Sequence, residues 1–238
     1  WTSRSQFADE MIKADAKRAP LVNALAAMPV EQLVADQNLY QGAVAGGAAA
    51  FKVHCVQCHG SGASGSKGYP NLNDDDWLWG GDIVAIEYTL LHGIRNPDHP
   101  ETRASAMPAF EGILAPAEIS AVVSHVQSLS GKAKPNAQGA QLFATNCASC
   151  HGVDGKGLRQ FGAPNLTDNI WLYGGDPATI TQTVRLSRQG VMPRWNDKLD
   201  RATIKMLAAY VHSLGGGEAV PPPVVAAKRE ANGANGQP

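Results

Sequence analysis

Two short runs carry the chemistry of this chain, Cys55-Val56-Gln57-Cys58-His59 and Cys147-Ala148-Ser149-Cys150-His151. A Cys-x-x-Cys pair alone is compatible with a disulfide, a zinc site, a thioredoxin-like redox centre or haem attachment. The His directly after each second Cys selects among them. Two thiols can add across the vinyl groups of a porphyrin while an imidazole, delivered by the same turn, sits beneath the iron. On this reading the chain carries two covalently bound haem c groups, one on Cys55 and Cys58 and one on Cys147 and Cys150, with His59 and His151 as iron ligands. These are all four cysteines of the chain, so no thiol is left for a disulfide.

A haem iron with His on one face needs a second ligand for simple electron transfer, or an open face for catalysis. Met107 and Met192 each follow a haem motif and stand directly before Pro. A Met-Pro loop fixes the backbone at the ligand, and a soft thioether favours ferrous iron. A core role is the alternative for both methionines. Met28 and Met206 read as packing residues, and so do His54, His92 and His125, none of which has a counterpart at the matching place in the other half of the chain. His99 is the next candidate ligand after Met107. Trp77, Trp79, Trp171 and Tyr173 could pack haem rings and donate to a propionate, or simply fill a core. Arg95, Arg185 and Arg188 could pair with propionates or lie on a solvated helix face.

The surroundings of the two motifs repeat. Pro70-Asn71-Leu72 recurs as Pro164-Asn165-Leu166, and Trp77-Leu78-Trp79-Gly80-Gly81-Asp82 as Trp171-Leu172-Tyr173-Gly174-Gly175-Asp176, both at an offset of 94. Met107-Pro108 recurs as Met192-Pro193 at an offset of 85, which places an insertion of nine residues at about Asn96 to Ala104 in the first copy. Each copy must position its motif with helices. Gly47 and Phe51 match Gly139 and Phe143, each pair on one face of a helix leading into the haem turn. Asp82 and Asp176 are N-caps for middle helices expected over Ile83–His92 and Pro177–Arg188. Last helices begin near Pro116 and Asp200, with Ile119, Val122, Val123 and Val126, then Ile204, Leu207, Ala208 and Val211, at helical spacing.

The expected fold is therefore all-α, with two tandem cytochrome c domains at residues 41–130 and 137–214. An N-terminal segment (1–40) precedes them, a linker (131–136) joins them, and a tail (215–238) rich in Pro, Ala, Asn and Gly reads as disordered. Each copy is small enough that an apolar core alone is marginal, and a buried porphyrin would supply the missing apolar area.

The hydrophobic and charged fractions, 44% and 17%, are those of a soluble globular protein. The net charge of −1 gives no basic excess for nucleic acid, and none is expected as a partner. Charge is nonetheless uneven, with four basic against nine acidic side chains across residues 41–130 and eight against five across 137–214. Asp74-Asp75-Asp76 could dock a basic electron donor, or form an ordinary solvated loop. The longest weakly polar run, Ala43 to Phe51, is too short to span a bilayer. Since the chain starts at Trp1, a signal peptide or anchor preceding it is expected to have been removed or left out.

Taken together, the two Cys-x-x-Cys-His motifs, the Pro-Asn-Leu-(Asn/Thr)-Asp and Trp-Leu-(Trp/Tyr)-Gly-Gly-Asp runs, and Gln189-Gly190-Val191-Met192-Pro193 resemble the di-haem subunit of cbb3-type cytochrome c oxidase, the CcoP/FixP family. Met11-Ile12-Lys13-Ala14-Asp15 and Ala27-Met28-Pro29-Val30-Glu31 extend the resemblance, which covers about residues 1–214. It implies two class I cytochrome c folds on the periplasmic side of the bacterial inner membrane, tethered by an N-terminal helix. It pairs His59 with Met107 on one iron and His151 with Met192 on the other. Electrons would come from a donor cytochrome c and pass to the mono-haem and haem–copper subunits, where oxygen is reduced and protons are pumped. The chain itself would catalyse nothing. A free-standing di-haem carrier or the cytochrome subunit of a periplasmic dehydrogenase is the alternative. A haem peroxidase would need an open iron face, against which the paired Met-Pro loops argue.

Overall fold

The computed structural model describes residues 2–221. Those residues form α-helices joined by long loops, with isolated bridges in place of strands, so the all-α expectation holds. In order they are α1 (Ser3–Ala27), α2 (Val30–Leu33), α3 (Gln37–His54), α4 (Val56–His59), α5 (Ile83–His92), α6 (Pro116–Leu129), α7 (Ala137–Asn146), α8 (Ala148–His151), α9 (Pro177–Leu186) and α10 (Arg201–His212). The capping expectations explain most boundaries. Asp82 accepts from the Ala85 amide at 3.0 Å, Asp176 from Thr179 at 3.0 Å and Asp200 from Thr203 at 2.9 Å. Helix α9 stops two residues before the expected Arg188 because Ser187 turns left-handed at φ 55°.

The repeats of the sequence are not the units of packing. One core gathers Phe51 of α3, Ile83, Ile86 and Leu90 of α5, and Ile204, Leu207, Ala208 and Val211 of α10. The other gathers Phe110 of the loop before α6, Ile119, Val122 and Val126 of α6, Phe143 of α7, and Ile180 and Val184 of α9. Each core therefore takes its first and middle helices from one copy and its last helix from the other. The expected domains at 41–130 and 137–214 thus each contribute helices to both cores. The short linker offers a physical reason: helices that follow one another through a few residues are normally neighbours, and α6 lies against α7.

Close helix crossings hold this exchange. A Cβ on Gly47 of α3 would lie 1.9 Å from the Met206 carbonyl oxygen of α10, and one on Gly139 of α7 would lie 2.0 Å from the Ala121 carbonyl oxygen of α6. Next to these crossings Phe51 packs on Tyr210 at 5.2 Å and Phe143 on His125 at 5.3 Å. The loops cross as well. Trp195 N–H donates to Leu90 at 2.9 Å, and Phe110 N–H donates to Val184 at 3.1 Å. Leu90 and Val184 are repeat counterparts, as are Phe110 and Trp195, so one hydrogen bond is made twice with the copies interchanged.

The N-terminal segment docks on the first core. Leu25 and Leu33 are fully buried there, and the buried Lys205 of α10 donates to the carbonyls of Leu25 at 2.9 Å, Ala26 at 3.3 Å and Met28. Three carbonyls at the end of α1 thus gain a charged donor where the helix leaves them unpaired. Residues 215–221 of the expected tail pack back onto the first core; 222–238 lie outside the described residues. Among the described residues no helix is long and apolar enough to cross a membrane.

Candidate haem sites

Helix α3 ends at Cys55 and a single turn, α4, carries the chain through Cys58 to His59. Helix α7 and the turn α8 do the same for Cys147, Cys150 and His151. Gly60 and Gly152 follow at φ 77° in both, a conformation open to Gly at no steric cost. None of the four cysteines is in a disulfide, so both pairs are available to a porphyrin, and burial pushes the Cys55 and Cys147 thiols up to about 11.

The two histidines are set alike. His59 Nδ1 lies 3.2 Å from the Pro70 carbonyl, and His151 Nδ1 lies 3.2 Å from the Pro164 carbonyl. A carbonyl only accepts, so each Nδ1 carries the proton and each Nε2 keeps a lone pair. Burial, partly opposed by that same hydrogen bond, lowers both imidazole pKa values. Neutral imidazole with a fixed tautomer is what iron ligation requires.

Both methionines are half-buried, but each lies in the core opposite to the one its copy implied. Met192 packs against the core that also touches Cys55, Val56, Leu72 and Trp77. Met107 packs against the core that also touches Cys147, Ala148 and Trp171. Hydrogen bonds to the methionine backbone fix both loops. Met192 and Ile94 exchange N–H and carbonyl at 3.0 Å each way, and the Ser187 hydroxyl donates to the Met107 carbonyl. The pairing of His59 with Met107 and His151 with Met192 is therefore not the one the packing brings together. The insertion at 96–104 lies in the loop that carries Met107 across to the second core.

The aromatic pairs divide. Trp79 and Trp171 each bury an indole N–H without a partner, whereas the Trp77 N–H donates to the Gly216 carbonyl at 2.6 Å. A buried orphan donor is costly unless a ligand meets it, and a porphyrin carboxylate is such a ligand. The paired thiols, the fixed imidazoles and these donors fit haem c in both places. Trp79 and Tyr173 also bridge the copies, Trp79 stacking where a Cβ on Gly162 would be 2.2 Å away and Tyr173 where one on Gly68 would be 3.3 Å away.

The arginines raised as propionate partners have protein partners. Arg95 donates to Gly190 at 2.7 Å and Ser105 at 3.2 Å, Arg188 to Thr179 at 2.7 Å, and Arg185 pairs with Glu111. His99 has a role of its own. Arg194 can only donate, so its contact to His99 Nδ1 at 3.1 Å leaves the proton on Nε2, which donates to His92 Nδ1 at 2.7 Å. Of the acidic triplet only Asp75 is exposed; Asp74 and Asp76 are half-buried.

Sequence reasoning missed Lys205, the tail contacts and the exchange of methionines. The lone Lys among the apolar positions of α10 was the available signal for the first of these.

Comparison with known proteins adds to this geometry. Residues 134–211 match the family model described as cytochrome c oxidase, cbb3-type, subunit III, and residues 44–130 match the one described as cytochrome c. The chain is 58% identical over 191 residues to the cbb3-type cytochrome c oxidase subunit CcoP of Cereibacter sphaeroides, covering 78% of this chain and 66% of that one. It is 49% identical over 222 residues to the subunit FixP of Rhizobium meliloti, covering 92% and 76%. This chain thus spans about two thirds to three quarters of the length of these relatives. A chain of the reducing HAO-like protein complex of Kuenenia stuttgartiensis aligns at a TM-score of 0.21 with 17% identity, over 71% of this chain and 96% of that one, and bears on nothing that follows.

Proposed function

The chain belongs to the CcoP/FixP family of cbb3-type cytochrome c oxidase subunits, and from that premise we propose that it relays electrons from a donor cytochrome c to the catalytic core of such an oxidase. In the full-length protein it sits on the periplasmic side of the inner membrane behind an N-terminal anchor, against the mono-haem and haem–copper subunits. Oxygen reduction and proton translocation belong to those partners; this chain contributes no catalytic residue.

Each half of the relay is a class I cytochrome c arrangement, a first and a last helix crossing at a glycine with the haem turn following the first. Cys55, Cys58, His59 and Met192 would hold the first haem, and Cys147, Cys150, His151 and Met107 the second. Bound there, haem c supplies a one-electron couple. The protein's part is to orient and to saturate. The Pro70 and Pro164 carbonyls keep the imidazole protons off Nε2, and the Met-Pro loops would supply each iron with a thioether as a second ligand, which argues against peroxidase chemistry.

The observation that carries this reading is the twofold occurrence of one constellation: free Cys pair, His fixed by a Pro carbonyl, and Met in the same core. Its test is a purification of the full-length subunit from membranes, with intact mass and visible spectrum. Two haem masses, Met–iron ligation at both and co-purification of a haem–copper subunit are expected. A high-spin haem, or association with a dehydrogenase alone, would contradict it.

A further inference from the structure

Trp77 and Trp171 occupy the same place in the repeat, each lying on the glycine four residues ahead: a Cβ on Gly81 would be 2.3 Å from the Trp77 ring, and one on Gly175 would be 2.8 Å from Trp171. Their N–H groups nonetheless differ. The Trp171 donor is buried and unpartnered, while the Trp77 donor is taken by the Gly216 carbonyl at 2.6 Å. The difference has a structural origin. After α6 the chain must run on into α7, whereas after α10 it is free to fold back.

It folds back along a defined path. Gly216 packs where a Cβ would be 1.8 Å from the Asp74 carbonyl oxygen, so only glycine passes there. Glu218 then clasps the turn from both sides. Its N–H donates to the Gly81 carbonyl at 2.9 Å, and its carboxylate accepts from the Gly81 N–H at 2.9 Å and from Arg159 at 2.7 Å. Its own carbonyl lies 2.9 Å from His212 Nε2. At the second site the carbonyl of Gly175 meets only the side chain of Gln127, at 3.4 Å.

We propose that residues 215–221 form a strap that captures the Trp77 indole and thereby makes the two haem sites unequal at this place of the repeat: at the site of His59 the Trp77 donor is withheld from a porphyrin carboxylate, and at the site of His151 its counterpart Trp171 stays available. The inference rests on haem occupying both sites as proposed above. An N–H donated to a propionate disperses its negative charge; without the donor, that charge favours ferric over ferrous iron and lowers the potential. Glu218 and Trp77 are thus positioning residues for the redox difference, and the strap is its switch.

The test is a spectroelectrochemical titration of the purified holoprotein, with haem count and Met ligation checked in every variant. Releasing the strap, by Glu218→Ala or by ending the chain after Leu214, is expected to raise the potential of one haem only. That rise is expected to vanish when Trp77→Phe is added, since the coupled residues act through one bond. Trp77→Phe alone is expected to leave both potentials in place, and Trp171→Phe to lower the other one. If Trp77→Phe alone lowers a potential, or neither release moves one, the strap does not set the difference. A missing haem or lost Met ligation in the parent protein would instead overturn the assignment of the sites, and the two failures are therefore distinct.

Discussion

Ile94, two residues past the end of α5, and Met192, in the loop after α9, bond to each other in both directions, N–H to carbonyl at 3.0 Å each. The methionine loop of the second copy is thereby stitched to the middle helix of the first. With Met107 in the core of the second motif, each haem site as proposed draws on both copies.

The halves are accordingly expected to depend on each other. Residues 1–133 and 134–221 exported separately, each in a host that attaches haem, should give haem proteins without Met–iron ligation. Produced together they should recover it, because cutting the linker leaves both cores complete. Visible spectra of the three preparations check this, and a Met-ligated spectrum from either half alone would contradict it.

The helix crossings leave no room for a side chain. Gly47→Ala and Gly139→Ala would each drive a methyl into a carbonyl oxygen closer than 2.1 Å, and both are expected to destabilise by about 1–3 kcal/mol or more. Gly62→Ala, whose new methyl would lie 3.5 Å from its nearest neighbour on backbone open to any residue, is the uncrowded control. Denaturant unfolding of the three variants measures the contrast.

These crossings also show where sequence reading stopped. Asp82, Asp176 and Asp200 marked helix starts because an N-cap acts within three residues. Gly47 with Phe51, and Gly139 with Phe143, marked the faces that must meet a last helix. Which last helix is not a local property: α6 and α10 derive from one ancestral helix and present similar faces, so the repeat pattern is satisfied by either partner. The methionines inherited that ambiguity, since each Met-Pro loop was joined to its own copy. Charge sums by copy lose meaning for the same reason. The strap was hidden differently, because apart from the Glu218 carboxylate its contacts run through backbone carbonyls and amides of Gly216 and Glu218, which leave no residue signature in a Gly- and Pro-rich tail.

Lys205 ties the N-terminal helix to the haem-bearing core. Lys205→Met removes a charged donor from three carbonyls and is expected to cost about 1.5–3 kcal/mol. Limited proteolysis should then cut within residues 2–36 faster than in the parent, with haem content unchanged. Equal cutting rates would show that apolar packing of Leu25 and Leu33 suffices.

Asp76 gives a pH dependence with a definite sign. Burial first, and then the charges of Asp168, Asp74 and Asp75, push its carboxyl up to about 6, above the ordinary Asp value of roughly 3.9. Between those two values the folded protein binds more protons than the unfolded chain, so this group makes stability fall as pH rises through that window. Asp76→Asn is expected to raise the melting temperature at pH 7 and to leave it nearly unchanged at pH 4. Scanning calorimetry at the two pH values decides it, and a variant that melts lower at pH 7 would contradict the sign.

The exchange of axial ligands is tested most directly in a protein with one haem. In the Cys147→Ala/Cys150→Ala variant, which retains only the haem on Cys55 and Cys58, Met192→Ala is expected to abolish the absorption of Met–iron ligation in the oxidised spectrum, and Met107→Ala to leave it intact. Loss with Met107→Ala and retention with Met192→Ala would contradict the crossed arrangement.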